Sequence, residues 1–342
     1  MIAAAASMEI LAEPMPDSVL RLLAGRIIGG VKIGDCRVTG PLGASRMSRL
    51  FRCVAAGLAA PLAIKFCLGR DGKPDIDLAR KQYAALEWLN AHAAPGQTPA
   101  RMVRVLDLIE DQACLVMEWV EGRPVAAVLA SPMTSEAEIG FWSGESGKWL
   151  RSFHGLRQMA PRPTDTKTLI GLIDKDLAKA KGLAANPSFA HGDRVLRKAA
   201  AQVGSIAVPC AIHHGDFKAE NLMISNGTLV GLDISNDWND VVTLDIAKFV
   251  RDVGFRSWRP SGWMLSWRHD DIVHHFLAGY AQGETLDLAL PLSWARLHGL
   301  LRFWIDMENI PPDPIRESYG RYRFEQIVTQ VAEDLSRQAA SG

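Results

Sequence analysis

Apolar positions along the chain follow two regimes. Up to about residue 120 they come in short runs of strand character. Residues 31–39 read as a strand, with a turn at Gly40-Pro41-Leu42-Gly43, and residues 50–55 and 61–67 read as strands on either side of a Gly57 turn. Residues 75–94 predict a helix. Asp75 or Asp77 can cap it, and Leu78, Tyr83, Leu86 and Leu89 form its apolar face. Residues 102–108 and 113–120 read as two more strands with Asp111 near their turn. Past Glu121-Gly122-Arg123-Pro124 the period lengthens. Residues 135–156 predict a helix with Ser135 at its N-cap, and 166–203 hold two weaker helical patterns. Residues 211–233 return to short apolar runs, and 244–339 are almost wholly helical, interrupted near residues 259–262 and 311–314. The pattern predicts an α+β chain. Residues 1–120 form a small β-rich lobe with one main helix, of which 1–30 are a helical extension. Residues 121–342 form a larger helical lobe, with the hinge near 117–122.

Composition narrows the class. With 48% hydrophobic and 22% charged residues, the chain is an ordinary folding sequence. Lys plus Arg (38) equals Asp plus Glu (38), so no basic excess points to nucleic acid. The five cysteines are widely spaced without a C-x-x-C pair, the usage of reduced thiols in a cytoplasmic protein. The N-terminal stretch lacks the basic start of a signal peptide, and no uncharged apolar run reaches the roughly 18 residues of a membrane span.

Candidate chemistry concentrates in His213-His214-Gly215-Asp216-Phe217-Lys218-Ala219-Glu220-Asn221. The apolar run Leu222-Met223-Ile224, the turn Ser225-Asn226-Gly227 and the run ending at Asp233 follow. A polar loop feeding a hairpin would return a second carboxylate beside the first, so Asp216, Asn221 and Asp233 are expected to converge. Two carboxylates and an amide oxygen suit a hard cation such as Mg²⁺ with phosphate oxygens and water. Phosphoryl transfer needs a carboxylate to orient the attacking hydroxyl, metal to neutralise the phosphate oxygens, and a lysine to hold them.

The loop H-G-D-x-x-x-x-N with a following L-D resembles that of the aminoglycoside phosphotransferase and choline kinase families, within the protein-kinase-like fold. The resemblance runs over residues 31–253. It implies a bilobal kinase-like fold, ATP and Mg²⁺, and phosphoryl transfer to a hydroxyl of a small molecule of aminoglycoside, sugar or amino-alcohol type. By resemblance Asp216 is the catalytic base, Asn221 and Asp233 hold metal, and His214 is structural. Lys65, in Ala63-Ile64-Lys65-Phe66, resembles the lysine that meets the nucleotide phosphates. Backbone groups of Glu118 and Val120 would meet adenine, and Asp245 would open the helix behind the loop. Gly43 and Ser45 lie where a glycine-rich loop would cover phosphates.

Three departures keep other readings open. Lys218 gives an Asp-x-Lys-x-x-Asn spacing closer to protein kinases, and a cation there could meet the migrating charge. The helix position that normally carries the lysine's glutamate holds Gln82, and Glu87 lies about 140° further round, so Lys65 is expected to work without the usual glutamate and to stay mobile until phosphates arrive. The glycine loop holds only Gly40 and Gly43. An atypical protein kinase and a pseudokinase-like nucleotide-binding module are the alternatives. The short spacing from Asp233 to Asp245 leaves no room for a long activation segment and favours a small acceptor. Elsewhere, the histidines and aspartates of residues 269–275 could be a metal site but read better as an acidic helix start. Trp258, Trp263, Trp267, Trp294 and Trp304 could cage a cationic acceptor or simply pack a core. Asp237, Asp240, Asp306 and Glu308 could receive a basic acceptor or be solvated.

Overall fold

The short apolar runs of the first part of the chain assemble into an antiparallel sheet. The structure, a computed structural model, describes residues 23, 25–28, 31–34, 36–45, 48–69, 71–93, 99–180, 182–234, 238–256, 269–284, 287–308 and 314–341. Most of the expected N-terminal helical extension lies outside them, as do Trp258, Trp263, Trp267 and Asp237. The chain forms two compact units, residues 1–122 with 230–237, and residues 123–229 with 238–342.

In the first unit β1 (Ile27–Ile28) pairs with β2 (Val31–Lys32). The main sheet contains β3 (Cys36–Ser45), β4 (Ser48–Ala55), β5 (Leu62–Cys67), β7 (Val105–Ile109) and β8 (Cys114–Glu118); β6 (Arg101–Met102) stands apart from it. Its order is β3-β4-β5-β8-β7, and every neighbouring pair is antiparallel. β5 is therefore central, and all six of its residues are buried. Phe51, Ile64, Phe66, Cys114 and Val116 form the core of one face, with Phe51 and Phe66 edge to face at 5.8 Å.

The expected turn at Gly40 to Gly43 is not a turn. These residues lie inside β3, and the register passes from Thr39 opposite Arg52 to Gly43 opposite Leu50. Residues 40–42 thus bulge against Phe51 alone. Gly40 takes φ +130°, and a Cβ there would sit 2.9 Å from the Leu42 nitrogen, so the bulge requires glycine.

Helix α1 (Ile76–His92) starts where the sequence predicts. The Asp75 side chain accepts from the Leu78 amide at 2.9 Å. Its buried face is Ala79, Gln82, Ala85, Leu86 and Leu89, which puts one amide into an otherwise apolar stripe.

The second unit opens with β9 (Arg123–Pro124), α2 (Val125–Ala130) and α3 (Glu136–Gly155). The Ser135 hydroxyl caps α3 by accepting from the Glu138 amide at 3.2 Å. β10 (Gln158–Pro163), α4 (Thr166–Leu177), α5 (Pro187–Val203) and β11 (Ala207–Ile212) follow, then β12 (Leu222–Ser225), β13 (Thr228–Gly231) and β14 (Asn239–Val241). β10, β11 and β14 form an antiparallel sheet in that order. The predicted hairpin turn is present, with Asn226 at φ 50° and Gly227 at φ 74°. Val230 and Gly231 at the end of β13 belong to the first unit, where they pair in parallel with Arg101 and Met102.

Four helices complete the chain: α6 (Thr243–Arg256), α7 (His269–Ala281), α8 (Ala289–Glu308) and α9 (Pro314–Ser341). Trp294, Trp304, Phe189, Leu301 and Phe324 share one core, and the Trp294 Nε1 donates to the Leu196 carbonyl at 2.9 Å. These two tryptophans are packing residues. α3 and α7 cross backbone to backbone: a Cβ on Gly147 would lie 2.0 Å from the Phe276 carbonyl oxygen, and one on Gly279 would lie 2.1 Å from that of Gly144. Among the described residues no helix is long and apolar enough to cross a membrane.

Candidate active site

The residues expected to carry the chemistry fall into two polar groups, one in each unit. The first is built on β5. Lys65 stands in the middle of the central strand, opposite Leu50 and Leu115, and is 8% exposed. A buried ammonium needs partners. Lys65 Nζ donates to Gln82 Oε1 at 3.0 Å and forms an ion pair with Asp233 Oδ1. The Cys67 thiol also donates to Gln82 Oε1, at 3.6 Å. Burial pushes that thiol up to about 11, so it keeps the proton it donates. Two donors therefore aim at one amide oxygen and fix its orientation.

This corrects the expectation that Lys65, held by a neutral partner alone, stays mobile until phosphates arrive. Gln82 faces the lysine, as the helix register implies, but the charge comes from Asp233, next to the strand end at Gly231. Asp233 takes φ +55°, a left-handed conformation that aspartate adopts more readily than most residues. Its side chain is 41% exposed, so it is accessible to solutes as well as to Lys65.

Of the other residues expected to meet the nucleotide, Gly43 and Ser45 lie in β3 opposite Leu50 and Ser48. The Glu118 amide is committed to the Arg104 carbonyl at 2.9 Å. Its carboxylate takes Arg101 at 2.9 and 3.0 Å and the Arg104 amide at 3.0 Å. Val120 lies in the irregular segment after β8, where the Arg52 guanidinium covers the ring of neighbouring Trp119 at 5.6 Å.

The second group is the loop between β11 and β12. Its foundation is Asp245, in the first turn of α6 and fully buried. Asp245 accepts from the backbone amides of His214 at 2.7 Å and Gly215 at 3.0 Å. His154 Nε2 lies 3.3 Å away and His213 Nε2 3.0 Å away. Burial opposes the charge on Asp245, but His213, the His154 hydrogen bond and His214 outweigh it and hold the carboxyl below its usual range. His214 itself is wholly buried among Trp149, Phe153 and Phe217, a structural position. His213 stacks on Trp238, whose Nε1 donates to His213 Nδ1 at 3.2 Å.

Asp216 projects from this loop with its two oxygens separately engaged. Oδ2 lies 2.9 Å from Lys218 Nζ and accepts from Asn221 Nδ2 at 3.1 Å. Oδ1 lies 3.0 Å from Lys248 Nζ on α6. Asn221 Nδ2 also donates to the Asp216 carbonyl at 2.8 Å, so the amide oxygen is the end left for a cation. Burial works against the charged form of Asp216, but Lys248 and Lys218 prevail and keep its carboxyl well below the ordinary range.

Two residues of the site were not foreseen from the sequence: Lys248, and Asp252, which accepts from the Ala219 amide at 3.2 Å. Their spacing from Asp245 on α6, three and seven residues, was the available signal. At residues 269–275 the metal reading fails: His269 Nδ1 pairs with exposed Asp270 at 3.0 Å, and no group of three or more His, Cys, Asp or Glu residues fit to hold a metal occurs among the described residues. Asp240 pairs with Arg162 at 3.1 Å, and Asp306 and Glu308 are exposed.

A β-sheet unit carrying a buried lysine and a helical unit carrying an H-G-D loop define a protein-kinase-like α+β fold. The model of the phosphotransferase enzyme family matches residues 65–284, well over half of the chain. The chain belongs to that family and is a phosphotransferase. Among solved structures it is similar to a choline/ethanolamine kinase family protein from Mesorhizobium loti, with TM-score 0.61 at 15% identity over 96% of this chain and 98% of that one. A glucosamine kinase matches with TM-score 0.59 at 13% identity over 94% and 88%. An amicoumacin kinase in complex with AMP-PNP and Ca²⁺ matches with TM-score 0.59 at 14% identity over 94% and 96%. At these identities the likeness is one of fold. A search of the curated proteins finds no match.

Proposed function

We propose that the chain transfers the γ-phosphoryl group of ATP to a hydroxyl of a small molecule of aminoglycoside, sugar or amino-alcohol type. The observation that carries this reading is the Asp216 carboxylate, held between two lysines and an amide at the end of a buried-aspartate scaffold. Such a carboxylate is a fixed hydrogen-bond acceptor. Its low basicity makes orientation of the attacking hydroxyl its main contribution, and the hydroxyl proton passes to an oxygen of the transferring phosphoryl group as the new O–P bond forms and the bond to ADP breaks. Lys218, on the loop, is the cation that can follow the charge as it develops on the transferring group.

The donor set suits a nucleotide with a divalent cation. Asp233 offers an accessible carboxylate beside the Lys65 ammonium, and Asn221 offers an amide oxygen. We assign Asp233 and Asn221 to Mg²⁺ and Lys65 to the phosphates. Backbone groups of Gly43 and Ser45 would cover the phosphates, and those of Glu118 and Val120 would meet adenine. Bound Mg²⁺ would neutralise the β and γ oxygens. The relatives' names, which cover choline or ethanolamine, glucosamine and amicoumacin, support a small acceptor. Five free thiols support a reducing, cytoplasmic setting.

The test is ADP release by the purified protein with ATP and Mg²⁺ across a panel of alcohols, run beside Asp216→Asn. The reading requires acceptor-dependent turnover that the variant loses by at least about a hundredfold, the size of effect that misplacing a reactant can have. An Asp216→Asn variant that keeps more than about a third of kcat rules out the assigned role.

A further inference from the structure

Helix α6 grips the loop through one stripe. Asp245, Lys248 and Asp252 are spaced at i, i+3 and i+7, so they share a face. Asp245 takes the amides of His214 and Gly215, Lys248 takes the Gly215 carbonyl and Asp216 Oδ1, and Asp252 takes the Ala219 amide. The three contacts follow the loop in order. Only the middle one reaches the side chain that would meet the acceptor.

We propose that Lys248 is a positioning residue for the transfer reaction, fixing the rotamer of Asp216 by holding Oδ1 from the helix while Lys218 holds Oδ2 from the loop. The proposal rests on the reading of Asp216 as the residue that orients the acceptor hydroxyl.

The two lysines differ in what anchors them. Lys218 belongs to the same loop as Asp216, two residues away, so its ammonium holds Oδ2 from within the segment it would have to fix. Lys248 projects from the second turn of a fourteen-residue helix and is tied to the Gly215 carbonyl as well. A carboxylate gripped only by Lys218 would lose its counter-cation whenever that lysine turned to a phosphate. The grip from α6 keeps Oδ1 occupied throughout, so once Lys218 turns away, Oδ2, left with the Asn221 bond alone, is the oxygen offered to the acceptor. Arg251, the neighbouring cation on α6, donates instead to the Gly299 carbonyl at 3.1 Å and lies over Phe303, so it does not duplicate this contact.

The decisive experiment compares Lys248→Met, Lys248→Arg and Asp216→Asn in steady-state kinetics, with calorimetric binding of Mg·AMP-PNP to each purified variant. Lys248→Met is expected to lower kcat by about tenfold to a hundredfold while nucleotide affinity stays within about twofold, because a transition-state orientation is lost and ground-state binding is not. Lys248→Arg, which keeps charge and donors, is expected to recover most of the rate. If Lys248→Met does not fold, Lys248→Gln takes its place in the same comparison. A Met or Gln variant with kcat within about threefold of wild type overturns the proposal, as does an Arg variant no better than Met. If Asp216→Asn is inactive while Lys248→Met is not, only the role of Lys248 falls. If Asp216→Asn is active, the reading beneath it falls too.

Discussion

The Lys65 amine is shared between the amide oxygen of Gln82, 3.0 Å away on α1, and the carboxylate of Asp233. Lysine and carboxylate therefore neutralise each other at the two positions where phosphate and metal are assigned. A Mg·nucleotide complex would have to separate them, with phosphates taking the lysine and metal taking the aspartate.

Gln82→Glu should ease that exchange. A carboxylate at position 82 gives Lys65 a charged partner that remains when Asp233 turns to metal, and charge-assisted bonds are about twice as strong as neutral ones. Mg·AMP-PNP affinity in calorimetry is expected to stay level or tighten by up to about fivefold, and Lys65→Ala to weaken it by more than about tenfold. Weakening in Gln82→Glu would show that Lys65 needs the neutral partner.

Asp233→Asn separates binding from stability. The carboxylate is 41% exposed but the Lys65 side chain only 11%, so losing the ion pair leaves a mostly buried ammonium on Gln82 and should cost about 1–3 kcal/mol in urea denaturation. Mg·nucleotide affinity should drop by at least about thirtyfold, since an amide is a poor substitute for an anionic ligand to a hard cation. Unchanged affinity would remove Asp233 from the metal site.

Asp245→Asn tests the scaffold. The buried carboxylate serves two amides and two histidines, and an amide side chain cannot accept in all those directions. A loss of about 2–4 kcal/mol in chemical denaturation is expected, because breaking a buried charged network leaves partners unpaired. A loss below about 0.5 kcal/mol would show that the loop is held by other contacts.

His298 sets an acid limit on stability. It is buried against Trp294, and its Nε2 donates to the Leu169 carbonyl at 3.1 Å. Burial holds its pKa down to about 4 from the ordinary 6.5. The folded state then binds fewer protons than the unfolded state between those values. Stability is fully present above about pH 6.5 and is lost as the pH falls through about 4. His298→Gln keeps the donor without the titration, so Tm measured between pH 6.5 and 4 should fall less steeply than in wild type. An unchanged slope would assign the acid sensitivity to other groups.

Gly147→Ala tests the crossing of α3 and α7. Its new Cβ would meet main-chain atoms of α7, which cannot swing aside like a side chain. A loss of about 3 kcal/mol or more is expected in thermal or urea unfolding, the upper end of overpacking costs. A change within about 0.5 kcal/mol would mean the two helices separate easily.

Much of this was legible in the sequence, for local reasons. Asp75 and Ser135 announce helix starts because a cap bonds to an amide three residues on. Asn226-Gly227 announces a hairpin because few pairs accept its backbone. His214, Gly215, Asp216, Lys218 and Asn221 could be read together because they share one loop. Where the reading failed, the cause was distance along the chain or backbone geometry. Nothing near Lys65 reveals that Asp233 will face it, and nothing near Asp216 reveals Lys248. The bulge at Gly40 looked like a turn because both demand glycine with positive φ. β10, rich in prolines and exposed, gave no alternating signal at all.

The stripe on α6 bears on how such a chain can be re-engineered. A loop fastened at three successive points to a helix beginning some twenty residues further on is not an independent cassette. Exchanging residues 213–221 for a homologous stretch would leave Asp245, Lys248 and Asp252 reaching for partners in a foreign register. The unit of transplantation is the loop together with α6. The helices beyond α6 make none of these three contacts, but α7 meets α3 at Gly147 and α8 takes Arg251 of α6 at Gly299, so a new acceptor is better sought by altering their side chains than by exchanging them whole.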